Sequence, residues 1–289
     1  MAQLAPVVPA YPLEQLRGYV QEQYARMLAH EPGVRVGKDP EDLHQLRVAT
    51  RRLRSVLKTA APLLEGSWVD EIRGELSWLG EELGPARDDD VLIAHLQEEA
   101  EELEPGDRAA LGPLFDKLEA DRTKARARAR SATRSKRYLA LLGAIEAAAA
   151  GPPVVDDGSF RQEAGKEFKK LRKAMRNVTE DPTDGAIHRA RIQGKRARYA
   201  TELLEGELGK PGARLLAAAK DFQDAAGRHQ DAVVAEARIR ALLRGVRSTR
   251  TALGAGVLVG LQRERRSKAL EELPQAWRRY ERAALKVWA

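Results

Sequence analysis

Apolar side chains recur along this chain at the three- and four-residue intervals of an α-helix, and strand-like runs of β-branched residues are few. After Asp39, for example, Leu46, Leu53, Val56 and Leu57 gather on one side of a helix while charged residues hold the other. Proline and glycine punctuate the pattern. A first helix is expected from about Pro12 to His30, stopped at Glu31-Pro32-Gly33. Asp39-Pro40 supplies an N-cap followed by proline at the first helical position, and the helix it opens ends near Leu64-Glu65-Gly66. Ser67 with Asp70 resembles a capping box for a third helix, ending at Leu83-Gly84-Pro85. A fourth runs from Arg87 to about Leu103, where Glu104-Pro105-Gly106 breaks it. Residues 107–150 read as one long helix, bent at Gly112-Pro113.

Gly151 through Gly158 is the clearest linker and divides the chain near its middle. Beyond it, Ser159 with Gln162 caps a basic helix reaching about Val178, and Asp181-Pro182 breaks the pattern. A further helix is expected from about Asp184 to Glu207. Breaks at Lys210-Pro211-Gly212 and Gly227 outline the rest, with Pro274 interrupting the last helix.

The polar faces of two of these helices repeat each other. His44, Arg47, Arg51, Arg52 and Arg54 stand at the same mutual spacing as His188, Arg191, Lys195, Arg196 and Arg198. At about 100° per residue, the histidine and the cations three, seven and ten positions after it share a stripe roughly 80° wide. Acidic residues stand at helical spacing only from the ends of the stripes, Glu41 and Asp184 before the histidines and Glu202 after Arg198, so the cations at +3 and +7 repel one another, which points to an anion that recruits them. A solvated charged face is the plainer reading, weakened because the second copy keeps the spacing while most intervening residues differ.

The repeat extends further. Gly84, Asp88 and Val91 recur at the same spacing as Gly227, Asp231 and Val234. Glycine ending one helix and aspartate capping the next would make each a helix–turn–helix corner. A second role open to Asp88 and Asp231 is to orient an arginine or histidine of the stripe, with Tyr199 as a further supporting side chain. These repeats predict an all-α fold of two pseudo-symmetric antiparallel helical bundles around a basic central cavity or channel. A flexible N-terminus would cover residues 1–11. A single domain over 12–289 would comprise helical repeats 12–150 and 159–289, joined by linker 151–158. Arg126, Arg130 and Arg137 on one helix face, and Lys169, Lys173 and Arg176 on another, are candidates for the same basic wall.

Composition agrees with a helical bundle: 32% of residues are charged and only 5% aromatic. Fifty Lys and Arg against 43 Asp and Glu give a net charge of +7, a weak argument for a polyanionic partner that the stripes strengthen. The absence of cysteine excludes disulfides and thiolate zinc sites and allows a reducing compartment. The first residues carry no basic region or apolar core of a signal peptide, and no stretch is long and apolar enough for a membrane span. A cytoplasmic protein without membrane association is expected.

The five histidines form no metal-binding pair, and no phosphate-binding Gly-rich loop with Lys and a hydroxyl residue is present. The chain offers cations to hold phosphate and no evident metal-and-nucleophile constellation to break it, so no catalytic residue, metal or cofactor is expected.

The segments His44–Arg54, Leu83–Val91, His188–Tyr199 and Gln223–Val234 resemble the CHAD family, the conserved histidine α-helical domain, across nearly the whole chain. That resemblance implies two related helical bundles around a basic cavity, binding of inorganic polyphosphate, and association with polyphosphate granules. Members are often fused to a CYTH-type triphosphate tunnel domain, for which this chain has no room. Gln230 stands where the first half has Arg87, so the two turns need not contribute equally. A nucleic-acid binder is disfavoured, because Tyr199 is the single aromatic near the stripes. The same cations would also suit an enzyme acting on phosphate compounds, or a scaffold for acidic proteins.

Overall fold

The computed structural model describes residues 11–155 and 159–288. The expected flexible N-terminus, apart from Tyr11, and the last three linker residues lie outside them. The described residues form ten α-helices and one short 3-10 turn, joined by a single isolated bridge between Leu64 and Val154. The helices are α1 (Tyr11–Val36), α2 (Pro40–Ala60), α3 (Gly66–Glu101), α4 (Pro105–Ala110) and α5 (Gly112–Thr133). They continue as α6 (Lys136–Ala150), α7 (Phe160–Glu180), α8 (Asp184–Leu203), α9 (Glu205–Leu242) and α10 (Thr249–Trp288). None of them is long and apolar enough to cross a membrane.

Several boundaries follow the expected cap chemistry. Asp39 accepts a 2.8 Å hydrogen bond from the Glu41 backbone N–H at the start of α2. α1, by contrast, does not stop at Glu31-Pro32-Gly33 but runs through Pro32 to Val36, where Gly37 in the left-handed region at φ 74° follows it. Other boundaries differ. The cap of α3 is Glu65, whose carboxylate accepts from the Ser67 and Trp68 backbone N–H groups at 3.0 and 2.7 Å. Ser159 makes no side-chain cap bond, and Thr183 caps α8. Ser135 caps α6 and so divides the helix expected over residues 107–150.

The largest departure is helix continuity. α3 passes through Gly84-Pro85, α9 through Gly227, and α10 through Pro274. Proline normally drives the residue before it out of helical conformation through a clash with that residue's Cβ, and Gly84 has no Cβ. The helix–turn–helix corners expected at Gly84 and Gly227 are therefore absent. The real kink in α9 is at Gly209, with φ 54° and ψ −139°, just before Pro211.

Two cores hold the helices together. The larger collects side chains from α1, α2, α6, α7 and α8, from the N-terminal half of α3 and α9, and from the C-terminal half of α5 and α10. Leu46, Leu53, Val56 and Leu57 of α2 are all buried in it, on the side opposite the cations. The smaller one packs Ile93 and Leu96 of α3, Leu114 and Leu118 of α5, Ile239 of α9 and Leu258 of α10. Like α5, helices α3, α9 and α10 run through both. On each, the stretch between the two cores has no apolar cluster to join, and there the molecule opens.

Candidate anion-binding cleft

The opening is a cleft of about 870 Å³, lined by α2 and α8 together with the middle of α3, α9 and α10. The helices α2 and α8 that carry the two basic stripes pack against each other, which brings both stripes to one space. His44, Arg47 and Arg51 enter it from α2, and His188, Arg191 and Lys195 from α8. These are the histidine and the cations three and seven positions after it in each copy.

Carboxylates from other helices orient this wall. Arg47 donates from Nη1 to the Gly84 carbonyl at 2.8 Å and to Asp88 at 2.7 Å. The second copy is looser: Arg191 stands 3.9 Å from Asp231, and its buried Nε has no hydrogen-bond partner. At the position where the copies differ, within α9, His188 Nδ1 lies 2.7 Å from Gln230 Oε1. Arg51 donates from Nε to the buried Tyr199 hydroxyl at 2.9 Å, so an arginine of the first copy is held by a residue of the second.

The electrostatics are those of crowded, partly buried cations. Burial pushes the Lys195 ammonium from 10.5 to about 7; Arg191 and Arg51 push the same way, and Asp231 opposes them. Burial likewise lowers the pKa of Arg191, against the pull of Asp231. For His44, burial and then the Arg87 charge favour the neutral ring. Asp231 is raised by burial, although Arg191 and Lys195 draw it down. Among the described residues, no three His, Asp or Glu side chains are grouped to hold a metal ion.

The remaining cations expected on this wall stand elsewhere. Arg52 pairs with Glu202 at 3.4 Å and lies over the Tyr199 ring. Arg54 reaches Ser77 on α3. Arg196 turns to Gln193, and Arg198 to Glu202 and Gln223. Arg126 pairs with the buried Asp90 and, with Arg130, lines a small separate recess. Arg137 is bound by Glu75 at 2.6 Å and lies 4.3 Å over Trp78. Lys169, Lys173 and Arg176 are exposed on α7 and do not line the cleft. The expectation that these two further rows extend the same wall is corrected: α5, α6 and α7 meet the bundle on other faces.

In their place the cleft gains Arg87 and His95 from α3, Arg228 from α9, and Arg265 and Lys268 from α10. Arg265 is fixed by the buried Glu99 at 2.9 Å and by His95 Nδ1 at 2.8 Å. Arg228 is paired with Glu272. The only sequence signal for this side was Arg87 beside Asp88 in the first repeated turn. In all, eight arginines and lysines, three carboxylates and three histidines line the space.

The family model of the CHAD domain matches residues 18–240. The chain belongs to the CHAD domain family. It is 29% identical over 302 residues to two Mycobacterium tuberculosis proteins, Rv2226 and MT2285, both described as uncharacterized. That match covers 98% of this chain and 56% of each relative, so the chain spans about half the length of these curated relatives. Among solved structures it is similar to PptA from Streptomyces chartreusis, with 25% identity, a TM-score of 0.79, and coverage of 92% of this chain and 98% of that one. The CHAD domain from the plant Ricinus communis matches with 26% identity, a TM-score of 0.70, and coverage of 91% and 90%.

Proposed function

We propose that the protein binds linear inorganic polyphosphate in this cleft, without cleaving it, and associates with polyphosphate granules. The observation that carries this reading is the convergence of Arg47 and Arg51 with Arg191 and Lys195 on one space. Cations three or four residues apart on a helix present donors about every 5 Å along its axis. A polyphosphate carries a charge on every unit, each unit about as long as two residues of helix rise, so alternate units meet a donor. Arginine can hold two phosphate oxygens at once, and lysine acts as a point charge. Membership of a family linked to polyphosphate supports the same ligand.

Among the described residues the lining contains no Phe, Tyr or Trp on which a base could stack, which favours polyphosphate over nucleic acid. Competition at physiological salt tests the reading. Long-chain polyphosphate should displace a labelled polyphosphate probe far more effectively than DNA, RNA, ATP or polyglutamate. Equal displacement by DNA or polyglutamate would refute selective recognition of the phosphate chain. Incubation with magnesium should leave chain length unchanged, and turnover proportional to protein concentration would refute the non-catalytic part.

A further inference from the structure

The basic ridge of α2 does not stop at the cleft. Arg47, Arg51, Arg54 and Lys58 are spaced by four, three and four residues, so they form one continuous row about 16 Å long. The first two line the cleft; Arg54 and Lys58 lie beyond it. There they meet charges from three other helices. Arg54 is influenced by Arg196 of α8 and Arg73 of α3 as well as Arg51, with Glu81 the opposing carboxylate. Arg196, Arg73 and Lys170 of α7 act on Lys58 as like charges, and Glu167 opposes them. Glu167 is itself engaged by Lys170 at 2.5 Å. Burial and these like charges lower the pKa of both Arg54 and Lys58. Arg73 adds a buried Nε donor with no acceptor, and its ion pair is to the exposed Asp70 at 3.2 Å.

We propose that this second cationic surface, made by Arg54, Lys58, Arg73 and Arg196 outside the cleft, holds the onward segment of a polyphosphate chain whose first segment lies in the cleft. The proposal rests on the polyphosphate reading of the cleft and adds chain-length selectivity to it. Four like charges from three helices, with one unmet donor among them, outnumber the carboxylates Asp70 and Glu81 beside them. The row continues without interruption from Arg51. With one phosphate unit per two residues of helix rise, the row from Arg47 to Lys58 spans roughly five or six units. A short chain would fill the cleft alone.

The test compares tripolyphosphate with a long polyphosphate by calorimetry at fixed salt. The double variant Lys58→Ala/Arg73→Ala should bind tripolyphosphate within about twofold of the unmodified protein and long polyphosphate about tenfold more weakly. Its salt dependence should flatten for the long chain only. Long-chain affinity within twofold of the unmodified protein, or equal loss for both chains, would overturn the second surface. Lys58→Arg/Arg73→Lys keeps the charges and should keep long-chain affinity, and its loss there would also overturn the proposal. Failure of the unmodified protein to bind either chain would overturn the cleft reading itself, and this extension with it.

Discussion

Lys195 offers the most direct measurement of the cleft's electrostatics. Its ammonium, pushed down to about 7 by burial and by Arg191 and Arg51, is mostly neutral at pH 8 in the empty protein. A polyanion lying against it reverses the local potential and restores the charged form. At pH 8 about nine-tenths of a proton should then be taken up at this residue on binding. Calorimetry in buffers of different ionisation enthalpy reads that uptake, and Lys195→Met should remove it while leaving any contribution from His44. The same group sets a stability window. A lysine whose folded pKa lies below its unfolded value is penalised fully below about pH 7, and not at all above about 10.5. Stability of the empty protein at this residue should therefore rise with pH across that interval. A fall from 10.5 to about 7 corresponds to a charging cost of roughly 5 kcal/mol as an upper figure. Lys195→Met should raise Tm at pH 6 by several degrees and by almost nothing near pH 10.5. Proton uptake equal in the variant and the unmodified protein, or a Tm gain independent of pH, would refute the argument.

Two further outcomes test the site and the helix that supports it. Arg51→Glu and Arg191→Glu should each weaken polyphosphate binding by a few kcal/mol, each lost charge-assisted contact being worth roughly 1.5–3. Lys173→Glu, on the exposed face of α7, should change binding little, and three equal losses in a filter-binding assay would mean that bulk charge holds the ligand. Gly84→Ala should destabilise by about 1 kcal/mol or more in thermal unfolding, because a Cβ before Pro85 opposes the helical conformation. Gly80→Ala, where an added Cβ meets nothing within 4 Å, should stabilise by up to about 1 kcal/mol. Stabilisation of similar size at both positions would refute that account of α3.

The sequence determined the helical class and the two basic stripes, because 3.6-residue periodicity and charge spacing are local properties that a helix converts directly into faces. The buried row Leu46, Leu53, Val56 and Leu57 and the cation row opposite it follow from that geometry alone. It also offered Asp88 and Asp231 as partners of the stripes beside their reading as helix caps; in the structure Arg47 lies 2.7 Å from Asp88 and Arg191 lies 3.9 Å from Asp231.

What the tertiary structure decided is which part of each stripe faces a common space. Both stripe helices present the +3 and +7 cations to the cleft, while Arg52 of α2 is drawn to Glu202 of α8 and Arg198 of α8 to Gln223 of α9; Arg196 turns to Gln193 on its own helix. Arg87, His95, Arg228, Arg265 and Lys268 reach the same space from helices far apart along the chain, and no local spacing rule relates them. Helix continuity through Gly84-Pro85 was decided at the same level. Local rules favour a break there, but a glycine without a Cβ relieves the proline clash, and α3 must run on to join both cores. Local sequence fixes what a residue offers to its surroundings; only the packing of distant helices fixes what those surroundings are.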